Sequence, residues 1–133
     1  MNGEGAFLDS NMLLYLRSGD VLKAEIIEDI LRMRPLVSIQ VLNEFASVSR
    51  RKFRREWSEI VDALLHIKAI CRVLPLTLAV HERGLALAAA HGFTVYDAMI
   101  VAAAESGNCF TLYREDMQDG RKIGGVTIRN PFK

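Results

Sequence analysis

Charge of one sign is what this chain most plainly lacks: 17 Lys and Arg stand against 16 Asp and Glu, a net charge of +1. That excludes a global field that would gather nucleic acid or a membrane surface, so any such binding must use local patches. Cysteine is scarce as well. Cys71 and Cys109 lie in the apolar runs "AICRVLPL" and "NCFTLY", which predicts buried thiols in a reducing cytosol. His66, His81 and His91 are scattered, and no Cys or His spacing suits a metal site. Charges interrupt every apolar stretch well short of the ~20 residues that span a bilayer. No N-terminal run has the charged-then-apolar form of a signal peptide. The expectation is a soluble, cytoplasmic protein with no membrane association. A Ser-His-Asp or Cys-His pattern is missing, and so is a Gly-rich phosphate loop. "GRKIGG" at 120–125 carries glycines but precedes a strand rather than a helix, and reads as a loop.

Half of the 133 residues are hydrophobic, enough for one domain over 1–133 with a proper core. A first strand is predicted at 6–8, then a short helix from Ser10 and Asn11, both good N-cap types. A helix over 18–34 is stopped by Pro35, with Val21, Ala24, Ile27, Ile30 and Leu31 at helical spacing. "PLVSI" is a short strand. The next helix, over 40–53, carries Val41, Leu42, Phe45 and Val48 on one face, and the one over 54–70 carries Trp57, Ile60, Val61, Leu64 and Leu65. "CRVLPL" is a strand. Helices over 77–92 and 94–107 end at Gly92 and Gly107, both suited to the left-handed position after a helix. "CFTLY" is a strand and "GVTIRNPF" a last, edge strand. Short apolar strands alternating with helices predict an α/β fold, its mainly parallel sheet covered on both faces.

Most acidic residues lie on helix faces among Lys and Arg, as Asp20, Glu25, Glu28, Asp29, Glu56, Glu59 and Asp62 do, and read as solvated. Four do not. Asp9 ends the apolar first strand in "AFLDSNMLLYL", and Asp116 follows "CFTLY" closely. Both lie beyond strand carboxyl ends, where open α/β sheets bind ligands at the point of strand-order reversal. Glu44, in "SIQVLNEFASV", opens the helix after the second strand between Leu42 and Phe45; it could equally complement the helix dipole. Asp97 completes a capping box, Thr94-Val95-Tyr96-Asp97, and could also point into the crevice. Four like charges brought together cost several kcal/mol each if unpaired, and folds chiefly do this to hold cations. Carboxylates without His or Cys select hard ions, Mg²⁺ or Mn²⁺. Two such ions roughly 3.5–4 Å apart can activate water against a phosphodiester.

"FLDSNMLLYL", "SIQVLNEFASV", "TVYDAMIVAAAESG" and "LYREDMQDG", in this order over nearly the whole chain, resemble the four acidic motifs of PIN-domain proteins, and among them the VapC-like ribonuclease toxins of toxin–antitoxin pairs. The resemblance implies a PIN-like three-layer sandwich with a five-stranded sheet in the order 3-2-1-4-5, flanked by helices. It implies a Mg²⁺- or Mn²⁺-dependent endoribonuclease that acts on RNA, pairs with a small antitoxin protein and forms a homodimer. Asp9, Glu44, Asp97 and Asp116 match the metal-holding catalytic quartet, Asn11 its supporting polar residue, and Asp119 a possible auxiliary acid. Arg114 departs from the pattern, since many relatives have Ser or Thr there. Its cation could neutralise part of the cluster, contact the scissile phosphate, or point to solvent. The alternative to the enzyme is a PIN-fold RNA- or protein-binding module without nuclease activity.

"SRRKFRRE" sets Arg50, Arg51, Lys52, Arg54 and Arg55 within six positions. They could neutralise RNA phosphates near the cleft, or form a solvated helix end that suits the helix dipole. Two other phosphate chemistries fit worse. A haloacid-dehalogenase-like phosphatase needs D-x-D after the first strand, where Asp9-Ser10-Asn11 stands, and a receiver-like domain needs a Lys at a later strand end.

Overall fold

A computed structural model describes residues 5–133. Six strands form one sheet: β1 (Ala6–Leu8), β2 (Leu36–Ser38), β3 (Arg72–Leu74), β4 (Thr111–Tyr113), β5 (Lys122–Ile123) and β6 (Val126–Arg129), in the order β3-β2-β1-β4-β6-β5. The helices are α1 (Ser10–Leu14), followed by a 3₁₀ turn over Tyr15–Arg17, then α2 (Val21–Arg32), α3 (Ile39–Arg51), α4 (Trp57–Ile70), α5 (Leu78–His91) and α6 (Val95–Ser106). β1 and β2 are buried at every residue. Because side chains alternate faces, this means both faces of the central sheet are covered.

The α/β class and the mainly parallel sheet agree with the sequence, and the order of five strands needs one amendment. Val126–Arg129 takes the fifth place beside β4, but it is not the edge. Lys122 and Ile123 pair antiparallel with Thr127 and Val126, so "GRKIGG" is a hairpin and not a loop. Gly124 makes its turn at φ +60°, where a Cβ would also stand 2.8 Å from Glu105 Oε2.

Chain order runs outward from β1 through β2 to β3, then returns to β4 on the other side of β1. The switch point therefore lies between β1 and β4. Their register pairs Leu8 with Tyr113, and the Asp9 N–H donates to Tyr113 O at 3.2 Å. Asp9 and Arg114 are consequently the next residues out on neighbouring strands, at the sheet's carboxyl edge.

α6 is the core helix, with Ala98 through Ala104 all buried. It packs closely on α5 because Gly84 has no side chain; a Cβ there would meet Met99 Sδ at 2.6 Å. Gly92 ends α5 at φ +72°, as predicted. Gly107 has φ −86° instead, and the left-handed position falls to Asn108 at φ +57°. Glycine is needed at 107 for room, since a Cβ would stand 2.8 Å from Leu36 and Leu74 methyl groups. The inward stripe of α4 also differs from the expected one: Ile60, Ala63 and Ile67 are buried, while Trp57, Val61 and Leu65 are each more than half exposed. Val21, assigned to an apolar helix face, is exposed too. Cys71 and Cys109 are free, buried thiols, and burial pushes them up to about 12 and about 11. No single helix among the described residues is long and apolar enough to cross a membrane.

Candidate active site

Four elements deliver the four acids to the β1–β4 edge. Asp9 follows β1 and caps α1, its Oδ1 accepting from Ser10 N at 2.7 Å. It is 3 % exposed. Burial pushes its carboxyl up to about 6, with Glu44 and Asp116 adding to the rise and Arg114 and the Ser10 N–H opposing it. Glu44 lies in the second turn of α3. Its Oε1 accepts from Ser10 Oγ at 3.2 Å and its Oε2 from Gln40 Nε2 at 3.0 Å. Ser10 Oγ is also 3.4 Å from Asp9 Oδ1, so one hydroxyl links two of the acids.

Asp97 sits in the first turn of α6. Half of the expected capping box forms: Thr94 Oγ1 accepts from Asp97 N at 3.2 Å. The reciprocal half does not, because the Asp97 carboxylate accepts from Arg114 Nη2 at 2.7 Å. Asp116, on the loop after β4, is more than half exposed; its Oδ1 accepts from Asn11 Nδ2 at 2.9 Å.

Arg114 is the one basic residue that pairs with these acids among the described residues, and it is buried at 5 % exposure. Besides Asp97, its Nη1 lies 3.2 Å from Asp9 Oδ2 and its Nη2 lies 3.7 Å from Asp116 Oδ2. Of the three orientations open to it, the guanidinium takes the one that neutralises the cluster. Burial pulls its pKa down, but Asp9, Asp97 and Asp116 outweigh that and leave it raised.

Asp119 is not drawn into this group. Its Oδ1 accepts from Asn130 N at 2.9 Å, tying the loop to the chain's end. The basic run is spread over the end of α3 and the turn into α4. Arg51, Lys52 and Arg54 are exposed there. Arg50 donates to Arg55 O, and Arg55 donates to Arg17 O and pairs with Glu59 at 3.8 Å. Those two cations brace the turn.

Sequence reasoning missed four contributors. Gln40 precedes Glu44 by one helical turn, a spacing that could have shown it. Ser10 read only as a cap. Tyr15 and Lys23 hold Glu115, at 2.5 Å from the Tyr15 hydroxyl and 3.1 Å from Lys23 Nζ. They thereby fix the loop between Arg114 and Asp116, across a separation no local pattern reveals.

The donors at the edge are hard oxygens throughout: four carboxylates, and Asn11 Oδ1, which is buried without a hydrogen-bond donor. In kind they fit Mg²⁺ or Mn²⁺. In spacing, no three Asp, Glu, His or Cys side chains among the described residues are placed to hold one metal ion, and Asp9, Asp97 and Asp116 share a guanidinium instead.

The PIN domain family model matches residues 6–119. No curated protein sequence matches the chain. Among solved structures, a toxin–antitoxin complex from Klebsiella pneumoniae is 18% identical with a TM-score of 0.73, over 96% of this chain and 98% of that one. VapC20 of Mycobacterium tuberculosis, a toxin that cleaves the sarcin–ricin loop, is 20% identical with a TM-score of 0.68, over 84% and 89%. VapBC2 of Rickettsia felis, bound to a fragment of its promoter DNA, is 16% identical with a TM-score of 0.69, over 93% and 96%. At these identities the likeness is one of fold.

Proposed function

The chain belongs to the PIN-domain family, and on that premise we propose that it is a divalent-metal-dependent endoribonuclease, the toxin of a toxin–antitoxin pair. PIN-domain proteins are generally nucleases. The observation that carries the reading is the convergence of Asp9, Glu44, Asp97 and Asp116 on one sheet edge, two of them joined by Ser10 and three by Arg114.

Asp9, Asp97, Asp116 and Glu44 would hold Mg²⁺ or Mn²⁺, which supplies Lewis acidity: it lowers the pKa of a water and steadies charge on a phosphate oxygen. The protein's own part is orientation. Gln40 and Ser10 fix both oxygens of Glu44, and Asn11 fixes Asp116. On this reading the nucleophile is water rather than the ribose 2′-OH, because a metal-bound water needs no histidine base. The phosphodiester then opens to a 5′-phosphate and a 3′-OH. Single-stranded or looped RNA suits a crevice at a sheet edge better than a stiff duplex does. The exposed Arg51, Lys52 and Arg54 would contact its backbone.

The partner in this reading is a small antitoxin protein. The toxin–antitoxin neighbours support it, as does a cleft in which the apolar Leu13, Phe45 and Ile60 lie beside the charged Arg17, Arg55 and Glu59. A homodimer and a cytoplasmic setting belong to the same proposal. A second reading, a PIN-fold binding module without nuclease activity, is favoured by one observation: a buried guanidinium already pairs with three of the acids.

The test is cleavage of a single-stranded RNA by the purified protein. Cutting in Mg²⁺ or Mn²⁺, arrest by EDTA and 5′-phosphate product ends are expected. Cutting that persists in EDTA, or ends carrying 2′,3′-cyclic phosphate, would contradict the mechanism.

A further inference from the structure

Arg114 is more buried than any other charged group at the edge except Asp9, and a buried guanidinium is costly unless it is well paired. Its pairing is electrostatically ample and geometrically loose. Three carboxylates from three separate elements lie within 4 Å, yet only Nη2 makes a hydrogen bond; Nε and Nη1 are buried without one. A side chain placed only to brace the fold would be expected to satisfy its donors. Instead the guanidinium sits where positive charge is most wanted, against oxygens that a divalent ion would need. Among the described residues no three acids are spaced to hold one metal ion; three of them are arranged about this group instead. With four carboxylates and one guanidinium the edge still carries a formal charge of −3, so it retains a pull on a further cation.

We propose that Arg114 is the resident cation of the acidic cluster, a positioning residue that holds Asp9, Asp97 and Asp116 together in the absence of metal and competes with a divalent ion for their oxygens. This rests on the reading of the cluster as a metal site. It makes the protein's affinity for metal a property of Arg114 as much as of the four acids. A divalent ion binds only as the guanidinium gives up part of its contact, since two positive groups a few ångströms apart repel. The cluster stays ordered when metal is scarce, and it fills only at higher metal concentration than the bare quartet would require.

The experiment measures Mn²⁺ alone binding to the full chain by calorimetry, for the unmodified protein, R114Q and R114K. R114Q keeps most of the volume and removes the charge; it should bind Mn²⁺ at least tenfold more tightly. R114K restores a cation and should stay within about threefold of the unmodified protein. Equal or weaker binding by R114Q overturns the competition and leaves the nuclease reading standing. Absence of binding by all three proteins overturns the competition and the nuclease reading alike. A second measurement needs no variant, should R114Q fail to fold: the Arg114 Nε–H resonance of the unmodified protein, followed as Mg²⁺ is added. It should shift and exchange faster with solvent as metal saturates. A resonance that stays unchanged while metal binds overturns the proposal.

Discussion

The β1–β4 edge and the turn from α3 into α4 both concentrate charge, and they treat it in opposite ways. At the edge, Asp9 and Arg114 are withdrawn from water and Arg114 lies within 4 Å of three carboxylates. At the turn, Arg51, Lys52 and Arg54 spread into solvent, while Arg50 lies over the Trp57 ring and Arg55 clasps backbone and Glu59. The cost of burial makes the first cluster sensitive to each proton and cation it meets. The second is screened by salt, and its exposed members contribute little to stability. One cluster gathers acids around a buried guanidinium, and the other is a diffuse cation itself.

The largest effect should come from Asp116→Ala. Its carboxylate is well exposed, so the unfolding free energy should move by no more than about 0.5 kcal/mol, while RNA cleavage falls by about a hundredfold or more. Comparing denaturation with cleavage separates the two, and near-normal cleavage would remove Asp116 from the site.

Next in size is the pH dependence of the metal-free protein. The Asp9 carboxyl rises from 3.8 to about 6 in the folded chain. The folded state therefore keeps this proton where the unfolded chain has lost it. Asp9's contribution is fully present below about pH 4 and is lost as pH rises to about 6, at most on the order of 3 kcal/mol. Denaturant unfolding between pH 4 and 7 should show that decline for the unmodified protein and a flatter profile for Asp9→Asn. Parallel profiles would show that burial at Asp9 is not felt as a charge cost.

At the α3–α4 turn the effects should be smaller and salt-dependent. Replacing Arg51, Lys52 and Arg54 with Gln should weaken RNA binding a few-fold near physiological salt. The slope of log affinity against log salt should flatten by up to about 2 for three single-strand phosphate contacts. Metal binding should not change. An unaltered salt slope would make the turn a solvated helix end. Smallest of all, Trp57→Ser should cost about 0.5–1 kcal/mol, because the ring is half exposed and loses mainly its contact with Arg50.

How much of this was legible beforehand depended on whether the determinant was local. The α/β class followed from short apolar strands between helices, and the place of Asp9 and Asp116 at the sheet edge from their positions after strands; Glu44 and Asp97 were open between helix-end roles and the crevice, and only the resemblance to the PIN-domain motifs joined them to the other two. What failed was decided by packing. Lys122–Ile123 is too short to carry an alternating pattern, so a hairpin looked like a loop. Gly107 is required by Leu36 and Leu74, which are distant in sequence, and the left-handed residue is Asn108. Helix α4 has two apolar stripes, and only the neighbouring elements select Ile60, Ala63 and Ile67 over Trp57, Val61 and Leu65. Thr94 caps the helix as expected, and of the two destinations left open for the Asp97 carboxylate it takes the crevice, because its partner, Arg114, comes from another element. For the same reason Arg114 stayed open among three orientations until Asp9 and Asp97 were placed around it.

On the proposed reading, the buried charge at the β1–β4 edge is a cation site and not a self-contained ion-pair network. The most direct measurement is the thermal midpoint of the metal-stripped protein as Mn²⁺ is raised to millimolar concentration, with Asp97→Asn alongside. A ligand that binds the native state raises the midpoint by mass action. The unmodified protein should therefore gain several degrees and Asp97→Asn markedly less. If the unmodified midpoint does not move, Arg114 alone satisfies the acids and the cluster is not a metal site.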